Sequence, residues 1–361
     1  MKKAIKIKLF PTDEQQELLF QSCGVARKAY NLCKELDLQY LKQFGKGIND
    51  RDFGPLMTQI RRGDDFPYMK LVSADVAKQA VKDYIAARSR SFKNFKNGYH
   101  VNWKTRKSKL SFYADYVKTK VKRKAVYISM IGDIKTSSQL PRNFKLGNPR
   151  VSYDGLSWWI SITTEVPKPE QVELTDVSIG LDLGLTTLVT TSDGQTFDNI
   201  MKSESVKELD KKIKQYQRAL SRKERGSKKY QQTYERFLKC VQKKTNIRRN
   251  YAFHVANALV RTKPKRIVME SLSIKHMLKN KRLAKAIHDV AWYNLQTIII
   301  QKANFFGIEV VKVDSRFPSS QLCCVCGNRQ PMPLDKREYN CQHCGISINR
   351  DLNAAINLAS I

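Results

Sequence analysis

Alternation of apolar and charged positions opens the chain. Ile5, Ile7 and Leu9 repeat with a period of two, which predicts a strand over residues 2–10. Pro11 ends it, and Thr12 followed three residues later by Gln15 reads as a capping box, so a helix begins there. Apolar positions then recur at helical spacing through Leu18, Leu19, Val25, Tyr30 and Leu32, up to a turn at Gly45 and Gly47. A further helix is predicted over 73–95, with Val76, Ala80, Tyr84 and Ala87 along one side. Strand patterns follow over 121–130, 150–153 and 158–165, the last two joined by a turn at Asp154 and Gly155. These strands are expected to pair with the first one, making a small β domain into which the helical region is inserted. Residues 167–170 have the composition of a linker.

Residues 177–197 read as three short strands in a meander, with Gly184 and Asp193-Gly194 at the turns and Asp182 closing the first strand. A carboxylate inside an apolar, β-rich run is costly to bury unless it is paired or binds a cation. Val206, Leu209, Ile213, Tyr216 and Leu220, then Tyr230, Tyr234, Phe237 and Val241, repeat at spacings of three and four on either side of Gly226-Ser227, which predicts a helical hairpin. An apolar strand at 266–269 ends in Glu270. One long helix is predicted next, burying Leu283, Ile287, Ala291, Leu295, Ile298 and Phe306 and stopping at Gly307, with a last strand over 308–313.

The final forty residues carry the densest chemistry. Cys323 and Cys326 form one CxxC pair and Cys341 and Cys344 another, fourteen residues apart, each followed by a glycine. A CxxC turn presents two thiolates from one bend, so two such turns supply the four tetrahedral ligands of structural zinc. Cys324 and His343 lie inside the knuckles but do not keep the paired spacing, and Cys23, Cys33 and Cys240 are scattered and expected to be buried as small hydrophobes. Asn349 is a good N-cap for a helix whose first turn holds Asp351 and whose Ala354, Ala355 and Leu358 share the side of Asp351. Such a face of small residues allows close packing on something flat.

Composition narrows the class of partner. With 66 Lys and Arg against 33 Asp and Glu, the 361-residue chain has a formal charge of +33. Nucleic acid is the expected partner, since each phosphate contact releases condensed counterions. A membrane is not expected, because neither a long apolar segment nor a lipidation signal is present, and the first residues suit a strand and not a signal peptide. Residues 78–124 hold fifteen Lys or Arg against two acids, interleaved with Tyr84, Phe92, Phe95, Tyr99, Trp103, Phe112, Tyr113 and Tyr116. That mixture suits a groove that tracks a backbone and stacks bases. The predicted hairpin is as basic, with seventeen Lys or Arg against five acids over 202–249.

Asp182, Glu270 and Asp351 thus stand at comparable places: two strand ends and a helix start. Brought to one sheet edge, they are candidates to bind two divalent cations about 3.5–4 Å apart, the arrangement that hydrolyses phosphodiesters.

The segments GLDLG (180–184), VMESLSIKHM (268–277), SSQLCCVCG (319–327), CQHCG (341–345) and NRDLNAAINL (349–358) resemble the TnpB (OrfB) proteins of bacterial insertion sequences. The likeness is specific over 177–361 and looser in LFPTDEQQELL and YNLCKEL. It implies an α+β multidomain chain. A wedge β-barrel-like domain (1–11 and 111–170) would be interrupted by a helical recognition domain (12–110). An RNase H-like (RuvC) nuclease domain (175–320 and 346–361, helical hairpin 203–262) would carry an inserted zinc ribbon that binds target nucleic acid (321–345). It also implies Mg2+ on Asp182, Glu270 and Asp351 as catalytic ligands, Zn2+ on Cys323, Cys326, Cys341 and Cys344, and similarity to type V CRISPR effectors. The implied partners are a guide RNA transcribed from the element end, target double-stranded DNA recognised beside a short motif, and a transposase of the same element, in the bacterial cytoplasm and nucleoid. Residues 99–116 depart from the family's usual wording before the wedge strands. A guide-bound repressor that has lost its acidic triad is the rival, disfavoured because all three acids are present. A DNA transposase is the third reading, disfavoured because no separate strand-transfer core is visible.

Overall fold

Paired strands and the helices that cover them divide the computed structural model into two compact units, Met1–Pro167 and Lys168–Ile361. The structure describes residues 2–94, 100–140, 147, 149–167, 173–333 and 335–361. Phe95, Tyr99 and the linker positions 168–170 lie outside them.

In the first unit the chain runs β1 (Lys2–Phe10), α1 (Asp13–Phe44), α2 (Phe53–Arg62), α3 (Ala74–Asn94), β2 (Ser111–Tyr113), β3 (Lys120–Val121), β4 (Ala125–Ile128), β5 (Gly132–Thr136), β6 (Arg150–Tyr153) and β7 (Trp158–Glu165). β1 takes the middle of a seven-stranded sheet of order β2-β6-β7-β1-β5-β4-β3, pairing antiparallel with β7 from Lys2–Glu165 to Leu9–Trp158. Its period of two is the cause, since Ile7 and Leu9 are buried while Lys6 faces away over the Trp159 ring. The capping box is formed: Gln15 N–H donates to Thr12 Oγ1 at 3.3 Å, and Thr12 N–H donates to Gln15 Oε1 at 3.1 Å. Gly45, at φ 68°, ends α1 in the left-handed conformation that glycine adopts freely.

Two features depart from the periodicity. The strand expected over 121–130 is folded back as the β3–β4 hairpin. Lys122 N–H donates to Ala125 O across a two-residue turn at Arg123-Lys124, and β5 begins at Gly132. Of the aromatic residues among the basic ones, Tyr84 and Phe112 belong to the core, whereas Phe92, Trp103 and Tyr116 are exposed. Tyr84 also donates to the buried Asp37 carboxylate at 2.6 Å, and Arg88 completes that pairing at 2.8 Å.

The second unit runs β8 (Ser178–Asp182), β9 (Thr187–Thr191), β10 (Thr196–Asp198), α4 (Glu204–Ser221), α5 (Lys228–Arg261), β11 (Arg266–Glu270), α6 (Ile274–Met277), α7 (Ala284–Val290), α8 (Trp292–Phe305), β12 (Glu309–Val313), β13 (Glu338–Asn340), β14 (Ser347–Asn349) and α9 (Arg350–Ala359). Five strands form a mixed sheet of order β10-β9-β8-β11-β12, in which β8, β11 and β12 are parallel and β9 and β10 antiparallel. Ile179 and Leu181 of β8 and Ile267, Val268 and Met269 of β11 are all buried, as strands covered on both faces require. Val255, Ala256 and Leu259 of α5 and Leu295 and Ile299 of α8 belong to the same core.

The single helix expected from Leu283 to Phe306 is two helices. Ala291 adopts φ 51°, ψ 51°, so the chain turns between α7 and α8, and Lys244 on α5 grips Asp289 just before the break at 3.1 Å. Both halves keep apolar spacing, which is why periodicity alone runs them together. Cys23 and Cys33 are buried as expected, but Cys240 is only partly so, because it lies on the long hairpin helix α5 and not within either core.

Candidate functional site

β8 and β11 are adjacent and parallel, with Met269 beside Leu181, so their carboxyl ends place Asp182 and Glu270 side by side on one sheet edge. The third carboxylate arrives from a helix. Asn349 caps α9 by accepting the N–H groups of Asp351 and Leu352 at 2.9 and 3.2 Å, which holds Asp351 in the first turn. Ala354, Ala355 and Leu358 are buried against the sheet. What permits this closeness is Gly180 in β8: a Cβ there would stand 2.6 Å from the Ala359 nitrogen and nearer still to the Ala355 carbonyl oxygen. Gly184 is equally constrained, since its Cβ would meet Thr187 O at 2.5 Å in the β8–β9 turn.

The three acids feel one another's charge, but among the described residues only the four cysteines bring their ligand atoms within 4.8 Å of one another, so the carboxylates face each other across a wider gap. The Asp182 carboxyl is pushed up to about 7, first by burial and then by the negative charges of Asp351 and Glu270, with Arg350 pulling the other way. Arg337 sits 3.7 Å from Asp351 Oδ2, too exposed to neutralise the cluster. Glu270 is held at both ends: its Oε1 accepts the Ser319 hydroxyl at 2.6 Å and its backbone oxygen accepts Gln296 Nε2 at 3.0 Å. A cluster of like charges on a half-buried edge is the electrostatic setting a cation relieves.

Beyond β12 lie the cysteines. The Sγ atoms of Cys323, Cys326, Cys341 and Cys344 all fall within 4.8 Å of one another, with Cys323–Cys344 and Cys326–Cys341 both at 3.6 Å. Tetrahedral zinc at about 2.3 Å from each sulfur puts thiolates roughly 3.8 Å apart, so the four cysteines fit structural zinc. Both knuckles close alike, with Gly327 and Gly345 at φ 72° and 74° donating to the carbonyls of Cys323 and Cys341. Cys324 and His343 stay outside the cluster. Beneath it Tyr339 is fully buried and donates to Gln321 O or Asn328 O.

Several residues that build the site were not singled out from sequence: Gly180, Ser319, Asn353 and Asn357. The two asparagines are one turn apart on α9 and buried. Asn353 accepts Cys324 N–H at 2.9 Å and donates to Leu322 O at 2.7 Å, and Asn357 donates to Ser319 O and Leu322 O at 2.8 and 2.7 Å. Amides at i and i+4 on an otherwise apolar helix face were the available signal.

Three family profiles match the chain: OrfB_IS605, "Probable transposase", over residues 161–281; HTH_OrfB_IS605, "Helix-turn-helix domain", over 1–46; and Cas12f1-like, TNB domain, over 292–358. The chain belongs to the OrfB (TnpB) family. Across the OrfB proteins, it is 29% identical over 372 residues to a candidate RNA-guided DNA endonuclease of Streptomyces pristinaespiralis, covering 99% of this chain and 89% of that one. InsQ of Escherichia coli K12, named in the same way, is 25% identical over 98% of this chain and 91% of its own. The Cas12f1 endodeoxyribonuclease of Sulfoacidibacillus thermotolerans is 36% identical over 77 residues, 21% of this chain and 18% of that one. In fold, the chain resembles Cas12f1 as seen in a Cas12f1–sgRNA–target DNA complex, with TM-score 0.60 over 99% of this chain and 98% of that one at 13% identity. The OrfB helix-turn-helix region is here a strand and one 32-residue helix, β1 and α1. Among the described residues no helix is long and apolar enough to cross a membrane.

Proposed function

We propose that this OrfB protein is an RNA-guided DNA endonuclease of a transposable element, cutting target DNA beside a short motif. The observation that carries the proposal is the convergence of Asp182, Glu270 and Asp351 on one edge of the five-stranded sheet, where burial and mutual repulsion push Asp182 to about 7. Three acidic oxygen donors suit Mg2+. Two such cations would activate a water and stabilise the leaving oxygen of the phosphodiester. The chain's own contribution is placement: β8 and β11 fix two carboxylates, α9 brings the third, and Ser319 and Gln296 hold Glu270 still. Asp182 shares its proton with solvent near neutrality, so cation binding is favoured above that range, where the Asp182 carboxylate is ionised.

In this reading unit two is a RuvC-like nuclease domain of RNase H fold, with the zinc ribbon between β12 and α9 as the segment that meets target nucleic acid. Unit one is the wedge, β1 and β2–β7, with α1–α3 between them as the recognition domain. The names of the two long relatives and the +33 charge support RNA and DNA as partners. The test is substitution: Asp182→Ala, Glu270→Ala and Asp351→Ala should each abolish cleavage with RNA and DNA affinity nearly unchanged, since these groups serve the chemical step alone. Robust cutting by any one purified variant removes that residue from the site.

A further inference from the structure

Ser319 is a buried polar side chain in contact with Glu270. It lies in the turn between β12 and the first zinc knuckle, 3% exposed. The turn is rigid: Phe317 O accepts Ser319 N–H at 2.9 Å, and Pro318 O accepts Gln321 and Leu322 N–H at 2.8 and 3.2 Å. Its carbonyl is fixed by Asn357 of α9, the same helix that carries Asp351. With its backbone clamped, the single hydroxyl proton goes to Glu270 Oε1 at 2.6 Å, the length of a charge-assisted bond to a carboxylate.

We propose that Ser319 is a positioning residue for the metal site: its hydroxyl occupies Oε1 of Glu270 and fixes the carboxylate so that Oε2 is left to a divalent cation. The inference rests on Glu270 being a metal ligand. Asn357 extends it, because one side chain ties the turn that orients Glu270 to the helix that carries Asp351. Two of the three donors thereby share a support that contains neither of them. Hydrogen bonds of this kind on a ligating carboxylate are typically worth about 10- to 100-fold in metal affinity or activity.

The experiment titrates Mn2+ into the full-length, nucleic-acid-free chain and reads bound metal from the loss of the free-ion electron paramagnetic resonance signal. Wild type is compared with Ser319→Ala, Ser319→Thr, Ser319→Cys and Glu270→Ala. Ser319→Ala should bind Mn2+ about 10- to 100-fold more weakly. Its guided cleavage should need correspondingly more Mg2+, while zinc content and melting temperature stay at wild-type values. Ser319→Thr, which keeps the hydroxyl, should restore both. Should Ser319→Ala melt early, Ser319→Cys fills the space with a weaker donor and should still weaken Mn2+ binding. Wild-type Mn2+ affinity in Ser319→Ala and Ser319→Cys, or lost cleavage with unchanged affinity, overturns the inference. If Glu270→Ala itself binds Mn2+ as wild type does, the assignment of Glu270 falls and the inference with it. If Glu270→Ala loses the metal and the serine variants do not, only the inference falls.

Discussion

Replacing Gly180 with alanine tests how the third carboxylate is delivered. The added Cβ would lie 2.6 Å from the Ala359 nitrogen and closer to the Ala355 carbonyl, where ordinary contact begins at 3.4 Å. Both obstacles are backbone atoms of α9, so no side chain can rotate out of the way. Relieving the Ala359 contact alone takes a retreat of about 0.8 Å, and the nearer Ala355 carbonyl oxygen demands more. Overpacking of this kind costs about 1–3 kcal/mol. In a unit of this size that lowers the melting temperature by roughly 2–12 °C. Because Asp351 rides on α9, the same shift moves one carboxylate relative to Asp182 and Glu270, and a displacement of about 1 Å at a reacting centre can cost on the order of a hundredfold in rate. Single-turnover cleavage at saturating RNA, with melting followed in parallel, reads both effects. Gly24→Ala is the control, since nothing lies within 4 Å of its Cβ position in α1. A Gly180→Ala protein that melts and cuts like wild type would refute the close packing of α9 on β8 as the device that positions Asp351.

The zinc knuckles make a separate prediction: Cys341→Ser or Cys344→Ser should lose zinc and loosen the region from β13 to α9, because structural zinc is typically worth about 10–16 kcal/mol in small peptides. Full activity in zinc-free protein by metal analysis would end this idea. A pH prediction follows from Asp182. Its folded value is raised from 3.8 to about 7, so the native state binds the extra proton between those values, and the metal-free protein should lose stability as pH rises across that window. Asp182→Asn should flatten the loss, and a melting temperature that climbs over the same window would contradict the assignment.

Much of the site was legible because carboxylates that end apolar runs are conspicuous. Asp182 after Ile179 and Leu181, Glu270 after Met269, and Asp351 behind the Asn349 cap each break a local pattern, and two CxxC pairs at this spacing point to little besides a metal. Strand and helix periods placed β1, β6, β7 and the α4–α5 hairpin for the same local reasons. What stayed hidden depends on distances between segments. Gly180 reads as an ordinary weak point of a strand until α9 is laid on it. Ser319 is one of two serines in a turn, and only the fold aims it at Glu270. Ala291 carries no sign of its left-handed backbone, since alanine is a good helix former and the apolar spacing continues through it. The basic aromatic stretch divides in the same way: Tyr84 and Phe112 are packing residues, a distinction that burial makes and composition does not.

Guided cleavage is the central claim, and whatever RNA copurifies with the protein tests it most directly. Purified at about 0.5 M salt, non-specific complexes should largely dissociate, because six to ten phosphate contacts already lose roughly a thousandfold or more in affinity between 50 and 200 mM. A cognate RNA should survive and sequence as one dominant species with a constant scaffold and a variable end. Exchanging that end should redirect cutting to the matching DNA, since base pairing supplies the specificity. A heterogeneous mixture of cellular RNA, or cutting that ignores the variable end, would contradict guidance and leave a nuclease without it.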